Sequence, residues 1–327
     1  MIETLSIERF KSIRSLTIQC SKVNVLIGPP DTGKTNVLEA LYLVSRLGWG
    51  CPLDSSLRMR PELGFDPLFY RQFFESPIRI TCLRGPDPKI NLEITIHSRD
   101  RKIELRTARG DIVASFGSVI NVPEYAVVRF YTYTQSEHWQ YTSDYPRGTE
   151  SVNPPHGYNL LYIARHNSRV YEFLKETTGP AWKLRFDQAQ KTFRLSEIRE
   201  DEILDYNLDL LSDSLKRFFF YGSILMTSQD AVLVFDEPDV YAFPPYPKRL
   251  GEMIAADESN QFFVTTHNPY FLSSLVEKTP SERLGVFVAS KDGDGATALT
   301  RLTAPQLSDV IEQGASVFFN LDAFAAS

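Results

Sequence analysis

The chain has 327 residues, of which 43% are hydrophobic and 12% aromatic, and its formal net charge is −6. This length and apolar content can supply a substantial buried core, so we expect a soluble globular protein of one large or two ordinary domains. The acidic balance excludes a protein that coats nucleic acid indiscriminately, because such proteins carry excess Lys and Arg facing the phosphates. The net negative charge is still compatible with a local basic face.

Cysteine usage and the N-terminal residues indicate a cytoplasmic protein. The three cysteines lie far apart and form no CxxC pair, which favours reduced thiols over a zinc site or a disulfide framework. The opening MIETLSIERFKSIRS mixes charged with apolar residues, unlike a secretory signal, and no apolar run approaches membrane-spanning length. We therefore expect no membrane partner.

The first fifty residues predict strands, a loop and a helix. Residues 2–9 and 15–27 are each predicted as one strand, and the second ends in the apolar run that a buried central strand requires. The loop GPPDTGKTN, residues 28–36, follows at once. Apolar residues at helical spacing then run from Val37 to Leu47, where a Gly-Trp-Gly segment ends the pattern.

This loop has the spacing of a phosphate-binding loop for a nucleoside triphosphate. Gly28 and Gly33 permit the backbone angles and close approach that let successive N–H groups point at a β-phosphate from a helix N-terminus. Lys34 adds a positive charge near the β- and γ-phosphates, and the Thr35 hydroxyl is placed to ligate Mg²⁺. The alternative is a chance match to a Gly/Pro turn, which the flanking strand and helix disfavour. The predicted nucleotide-binding residues are Gly28, Pro29, Pro30, Asp31, Thr32, Gly33, Lys34, Thr35 and Asn36.

The segment from 51 to 226 combines predicted strands with predicted helices. Pro and aromatic residues are frequent in 51–165, and short alternating stretches between 77 and 110 predict antiparallel hairpins. Helical patterns follow at 159–176 and 203–226.

A second apolar strand, AVLVF at 231–235, is followed by two acids at its carboxyl end, where ligands of open α/β sheets bind. Asp236 is expected to hold Mg²⁺ through water, and Glu237 to orient and partly deprotonate an attacking water. Adjacent acids by themselves are also typical of a solvated loop. The phosphate-binding loop earlier in the chain favours the catalytic interpretation.

A third apolar strand, FFVTT at 262–266, leads into His267, at a position from which an imidazole can reach a γ-phosphate. The alternative is a histidine that only makes structural hydrogen bonds. PKRLGEMIAADES, between the second and third strands, predicts the crossover helix of a right-handed βαβ unit. Near the C-terminus, 284–303 predicts a hairpin and 306–319 a short helix.

Taken in this order, the motifs resemble the ABC-type ATPases of the RecF, SMC and OLD group, in particular compact single-chain AAA-family members. The resemblance begins at IERFKS and continues through GPPDTGKTNVLEAL, LLSDSLKRFF, FDEPDVYAFPP and TTHNPYFL. It implies an α/β P-loop NTPase fold of ABC-ATPase type, with a mixed central sheet flanked by helices. We expect a single head, 1–327, whose nucleotide-binding core is 1–50 and 228–327. An antiparallel β-rich lobe would occupy 51–165 and a helical signature-motif subdomain 166–227.

The resemblance also implies ATP and Mg²⁺ as cofactors and gives roles to the chemistry-bearing residues. The catalytic residues would be Glu237, His267 and Lys34, with His267 sensing the γ-phosphate. The metal ligands would be Thr35 and Asp236.

In that family the segment matching LSDSLKR is the signature motif, which contacts ATP bound to the other subunit of a head-to-tail homodimer. Ser212, Asp213 and Ser214 would make this contact, and the alternative is an N-cap box before an ordinary amphipathic helix. Ser214 stands where relatives commonly carry Gly. Two further departures are Pro30-Asp31-Thr32 in place of Asn-Gly-Ser, and Tyr241-Ala242-Phe243-Pro244 in place of His-Leu-His-Pro.

The resemblance is to the head alone. No heptad arm is found between 50 and 210, and the 60 residues after His267 are too few for the Toprim nuclease domain of OLD relatives. We expect an ATPase whose ATP-driven dimerisation acts on DNA or a partner protein. The alternative is an ATP-gated regulatory subunit that hydrolyses little ATP and controls a separate effector.

Three local patterns stay open. The basic residues between 99 and 109 are interleaved with acids, which favours a solvated hairpin over a DNA contact. The aromatic residues of 125–145 suit a packing surface better than base stacking. The Q-loop glutamine of the family would be Gln72 or Gln135, between which spacing does not decide.

Overall fold

The computed structural model describes residues 1–50, 66–73, 75–85, 92–99, 102–107, 112–115, 118–119, 121–134, 145, 149–179, 182–199 and 202–321. The described strands are β1 (Thr4–Phe10), β2 (Ile13–Gln19), β3 (Val23–Ile27), β4 (Ile78–Leu83), β5 (Leu92–Arg99), β6 (Lys102–Thr107), β7 (Ile112–Ser115), β8 (Ser118–Val119), β9 (Val128–Tyr131), β10 (Lys183–Asp187), β11 (Thr192–Arg199), β12 (Glu202–Asn207), β13 (Val232–Phe235), β14 (Gln261–Thr265), β15 (Leu284–Lys291) and β16 (Thr297–Arg301). The described α-helices are α1 (Lys34–Trp49), α2 (Leu160–His166), α3 (Ser168–Thr178), α4 (Asp213–Thr227), α5 (Pro245–Ala256), α6 (Pro269–Lys278) and α7 (Ala304–Gln313).

The central sheet has six strands in the order β16-β15-β3-β14-β13-β9. The strands from β15 to β9 run parallel, and β16 is antiparallel to β15, so the sheet is mixed. Val25 lies between Val264 and Val286 in the register. Every residue of β3, β13 and β14 is buried, and most of these residues are apolar, as expected for strands that are covered on both faces.

Two cores cover the two faces of this sheet. Leu233 and Phe235 point into a core shared with α2 to α6, whereas Val232 and Val234 point into a core shared with α1 and the second sheet. That second sheet is antiparallel, with the order β2-β1-β4-β5-β6-β7-β8. Its first strands share this second core with α1. A third sheet contains β10, β11 and β12.

The topology brings three carboxyl ends together. The parallel strands β3, β14 and β13 are neighbours in that order, so the loops that follow them emerge at one edge of the sheet. β3 leads into the loop at 28–36, β13 into Asp236, and β14 into Thr266 and His267. The predicted crossover helix is observed as α5 between β13 and β14.

The single strand predicted over 15–27 is wrong. β2 ends at Gln19 and belongs to the antiparallel sheet, whereas β3 begins at Val23 in the central sheet. A turn closes the gap, since Ser21 N–H donates to Asn24 Oδ1 at 2.8 Å and Asn24 Nδ2 donates back to the Ser21 carbonyl at 2.8 Å. A side chain that bonds to the nearby backbone lets the chain leave one sheet for the other.

Two helix predictions are corrected. The pattern at 159–176 is two helices, because Asn167 ends α2 and its side chain caps α3 through the N–H groups of Arg169 and Val170. The helix predicted to start at 203 starts at Asp213, and residues 202–207 form β12. The subdomain predicted as helical over 166–227 therefore also contains a three-stranded sheet. Of the described helices none is long and apolar enough to span a membrane.

Candidate nucleotide-binding site

The loop between β3 and α1 has a backbone that its glycines require. Gly28 has φ 149° and Gly33 has φ 97°, both outside the range that side chains favour. A Cβ at Gly28 would lie 2.6 Å from the Ala289 carbonyl oxygen, and one at Gly33 would lie 2.1 Å from Thr297 Oγ1. The glycines are thus needed for packing of the loop against its surroundings.

Lys34, the first residue of α1, is folded back onto this loop. Its Nζ donates to the carbonyl oxygens of Gly28 at 2.9 Å and Pro29 at 2.8 Å. Burial lowers the pKa of Lys34 below its usual value, and the carboxylates of Glu237, Asp236 and Asp31 oppose that shift. A triphosphate would place further negative charge beside the ammonium group and favour its protonated form.

Asp236 lies at the end of β13 and is held by threonines from two sides. Thr265, the last residue of β14, donates its hydroxyl to Asp236 Oδ1 at 2.6 Å. Thr35 Oγ1 is 3.4 Å from the same oxygen. The loop hydroxyl and the strand-end carboxylate predicted as metal ligands are therefore adjacent.

Glu237 and His267 face each other across the same edge. Glu237 Oε1 is 3.6 Å from His267 Nε2, and both side chains are about one-third exposed. The Glu237 backbone is left-handed, with φ 47°, a conformation that costs about 1 kcal/mol for a residue with a Cβ. Its N–H donates to Thr265 Oγ1 at 2.9 Å, which stabilises this conformation.

Electrostatics favour a neutral imidazole at His267. Burial first, and the Lys34 ammonium second, lower the pKa of His267 below its usual value, while the two carboxylates act in the opposite direction. A neutral imidazole has one donor and one acceptor nitrogen. It can therefore hydrogen-bond a phosphate oxygen with one nitrogen while the other faces away.

Glu237 and His267 line one cavity of about 380 Å³ together with the loop, whereas Asp236 is not part of its lining. The loop contributes Gly33, Lys34 and Thr35, and the strand ends contribute Glu237 and His267. Residues that are 200 or more positions apart in the chain are thus brought together. Among the described residues, 212–214 are not part of this lining.

The donor set suits Mg²⁺. This ion prefers oxygen ligands, binds through one or two protein groups and completes its shell with water and substrate phosphates. Thr35 and Asp236 supply one hydroxyl and one carboxylate. Within the described part of the chain there is no cluster of three or more His, Cys, Asp or Glu that could hold a metal.

The predicted signature residues lie at the start of α4. Ser212 is exposed and caps the helix, accepting from the Leu215 N–H at 3.3 Å. Asp213 accepts from the Tyr133 hydroxyl at 2.9 Å. Ser214 Oγ accepts from the Phe243 N–H at 2.6 Å, so two departures from the family pattern, at Ser214 and at 241–244, contact each other.

Two residues beside the loop, Ser12 and Thr297, had no role in the sequence prediction. Ser12, from the β1–β2 turn, accepts from Asn36 Nδ2 at 2.6 Å, and its Oγ is 2.6 Å from Thr297 Oγ1. Ser12 also lines the cavity. Ser12 was quoted only as part of the family's opening motif, and nothing in the local sequence marks Thr297.

The structure also shows a buried carboxyl beside the site. Asp239 is 4% exposed and accepts a hydrogen bond from the Thr266 hydroxyl at 2.7 Å. Burial is the main cause that raises the pKa of Asp239 to about 7, and the charge of Glu237 adds to it. The Pro-Asp pair that follows the two acids gives no sign of this in the sequence.

The three open patterns receive partial answers. Of the aromatic stretch, Tyr125, Phe130, Tyr131 and Tyr133 are buried, which favours packing over base stacking for these four. Residues 135–144 lie outside the described residues, and Gln135 with them. Gln72 ends a short 3₁₀ helix and is exposed. The basic hairpin is described only in its backbone strands.

Comparison with known proteins decides the family. The family model described as "AAA ATPase domain" matches residues 1–231, more than half of the chain. The chain belongs to this family. A second model, described as "AAA domain, putative AbiEii toxin, Type IV TA system", matches residues 198–273, which include the α4 start, the two acids and His267.

Relatives of this AAA ATPase domain protein point to the RecF/SMC group. It is 38% identical over 99 residues to the DNA replication and repair protein RecF of Vibrio parahaemolyticus, a match that spans 28% of this chain and 27% of RecF. The SMC head bound to the C-winged helix domain of ScpA superposes with a TM-score of 0.57 at 14% identity, covering 93% of this chain and 99% of that one. The Smc head of Pyrococcus furiosus bound to the C-terminal domain of ScpA superposes with a TM-score of 0.52 at 13% identity. The match covers 95% of this chain and 98% of that one.

These comparisons confirm the predicted fold and recognition. The chain has the fold of the SMC heads and resembles part of RecF, which supports the predicted likeness to the RecF/SMC group of ABC-type ATPases with a P-loop NTPase fold. Its family is that of AAA ATPase domains. The match to RecF spans about a quarter of that protein's length.

Proposed function

We propose that this chain binds Mg-ATP, hydrolyses it to ADP and phosphate, and closes with a second copy head to tail around two nucleotides. The observation that carries the proposal is the 380 Å³ cavity in which the glycine loop, Glu237 and His267 meet. A phosphate-binding loop without an acid and an imidazole opposite it would support binding only.

Binding begins with the loop and Lys34. The first N–H groups of α1 have no acceptor within the helix, and with the helix dipole they attract a β-phosphate. The Lys34 ammonium now bonds two carbonyls of its own loop. Exchanging these neutral acceptors for anionic phosphate oxygens gives stronger, charge-assisted bonds, so Lys34 supports nucleotide binding.

Glu237 and His267 would act at the γ-phosphate. A water bound beside Glu237 attacks the phosphorus, its proton passes to the carboxylate, and the bond to the ADP oxygen breaks. His267 would donate a hydrogen bond to a γ-phosphate oxygen and so would favour closure only when that phosphate is present. Mg²⁺, held by Thr35 and Asp236, would neutralise charge on the β- and γ-phosphate oxygens.

The position of Ser212 supports closure by a second copy. Ser212 is exposed at a helix start yet does not line the cavity of its own chain. Around the site Tyr241, Phe243 and Tyr270 expose 87%, 61% and 57% of their surface. Apolar side chains grouped this way suit burial against another protein surface. The movement between open and closed dimers would then act on DNA or on a partner protein.

The decisive test is the solution mass of Glu237→Gln measured by light scattering, with and without Mg-ATP. Removing the base should trap ATP, so the mass should double with nucleotide, while turnover falls by about 10² to 10⁴. Glu277→Gln is the matched control, because Glu277 is exposed near the far end of α6 and makes the same charge change.

Three outcomes separate the parts of the proposal. Full turnover in Glu237→Gln would refute its role as the base. ATP binding without a change in mass would refute self-association and point to a different partner chain, as for a regulatory subunit. Turnover per subunit that stays constant across a wide range of protein concentration would refute a dimeric active form.

A further inference from the structure

Two consecutive threonines join the loops that carry the catalytic pair. Thr265 donates to Asp236 Oδ1 at 2.6 Å and accepts from the Glu237 N–H at 2.9 Å. Thr266 donates to Asp239 Oδ2 at 2.7 Å and accepts from the Asn268 N–H at 2.9 Å. The neighbours of His267 in the chain, Thr266 and Asn268, are thus hydrogen-bonded to each other, and Thr266 is also bonded to Asp239.

The hydrogen bond between Thr266 and Asp239 is shielded from solvent. Thr266 is 0% exposed and Asp239 is 4% exposed, and the two lie 27 positions apart in sequence. Asn268 continues the chain of contacts, since its side chain caps α6 through the N–H groups of Tyr270 and Phe271. Asp239 therefore connects the turn after Glu237 to the helix after His267.

A carboxyl at position 239 would destabilise the fold without benefit if its only role were to fill space. Its Oδ1 is buried and has no hydrogen-bond partner among the described residues. A buried polar atom without a partner costs about 1–3 kcal/mol, and an apolar residue of similar size avoids that cost. The charged groups that act on it are Glu237 on its own turn and Arg217 from α4. A carboxyl at this position is explained if its other oxygen, Oδ2, has a function through its bond to Thr266.

We propose that Asp239 and Thr266 are positioning residues that set the separation of Glu237 and His267. The contact holds the backbone on either side of His267 relative to the turn that begins at Glu237. Its geometric result is the 3.6 Å separation between Glu237 Oε1 and His267 Nε2. The catalytic use of that separation rests on the proposed ATPase function, but the separation itself can be measured without nucleotide.

The test is the electrostatic coupling between Glu237 and His267, measured by NMR titration of the His267 imidazole, with His267→Asn identifying its signal. Because Glu237 raises the pKa of His267, Glu237→Gln should lower it in the wild-type background. Thr266→Val and Asp239→Ala should largely abolish this response. Thr266→Ser keeps the hydroxyl and Asp239→Asn keeps an acceptor oxygen, so both should preserve it.

ATP turnover provides a second readout on the same variants. Misplacement by about 1 Å can cost about 10²-fold, so Thr266→Val should lower kcat by at least about tenfold with KM nearly unchanged, and Thr266→Ser should restore it. Unchanged coupling in Thr266→Val overturns the positioning role, whatever the turnover. Absence of turnover in the wild-type protein overturns the ATPase proposal, while the NMR response still decides the role of Asp239 and Thr266.

Discussion

Replacing Asp239 by asparagine should stabilise the protein at alkaline pH and have much less effect at acid pH. The pKa of this carboxyl is raised from 3.8 to about 7 in the folded protein because it is buried. At about 1.4 kcal/mol per pKa unit, a rise of about three units disfavours the folded state by about 4 kcal/mol once the group is ionised in both states. The side chain is 4% exposed, so solvent screening reduces this value little.

The direction of the pH dependence follows from proton binding. Below about pH 4 both the folded and the unfolded protein hold the proton, and the group does not affect stability. Between about pH 4 and pH 7 the unfolded chain releases the proton while the folded protein keeps it, so stability falls as pH rises. Above pH 7 the loss is complete and constant. Asparagine does not titrate and keeps an oxygen that can accept from Thr266.

Urea unfolding of both proteins at pH 5 and pH 8 measures the effect. The advantage of Asp239→Asn in free energy of unfolding should be about 3 kcal/mol larger at pH 8 than at pH 5. Asp309→Asn, at an exposed position on α7, is the matched control and should show no such difference. An equal effect of Asp239→Asn at the two pH values would refute the raised pKa and the burial argument behind it.

Further predictions concern the loop, α1 and α4. Lys34→Ala should weaken ATP binding by about 10- to 100-fold, because a charge-assisted bond contributes about 1.5–3 kcal/mol, and a nucleotide-binding titration would show it. Gly48→Ala places a Cβ 2.2 Å from the Ala126 backbone nitrogen and should cost about 1–3 kcal/mol in urea unfolding, whereas Gly293→Ala, in open space, should cost little. Ser214→Ala removes the acceptor for the Phe243 N–H and should cost about 1 kcal/mol by the same measurement, with Ser214→Thr as the hydroxyl-retaining control.

Much of the candidate site could be predicted because its signals are local. Gly28, Gly33 and Lys34 lie within seven residues, and a strand before and a helix after them are visible in the periodicity. The acids at 236–237 and His267 could be placed since each follows a strand of mainly apolar residues, and the ends of parallel strands meet at one edge.

Other predictions failed where pairing between distant segments overrides local pattern. Residues 203–207 read as the start of a helix but pair with β11 as β12, and α4 begins only after the cap at Ser212. The alternation in 15–27 continues across the point where the chain changes sheets, so periodicity could not show the break at 20–22.

By itself the sequence determined the glycine loop between a strand and a helix, the buried strands and the residue types at their ends, because these depend on spacing and on the period of apolar residues. The tertiary structure alone decided which distant side chains contact the loop and the strand ends. Asp239 meets Thr266 from 27 positions away, and Ser12 meets Thr297 from 285 positions away. Short-range polar contacts of this kind arise only when folded segments come within hydrogen-bonding distance, and no local pattern of residues encodes that distance.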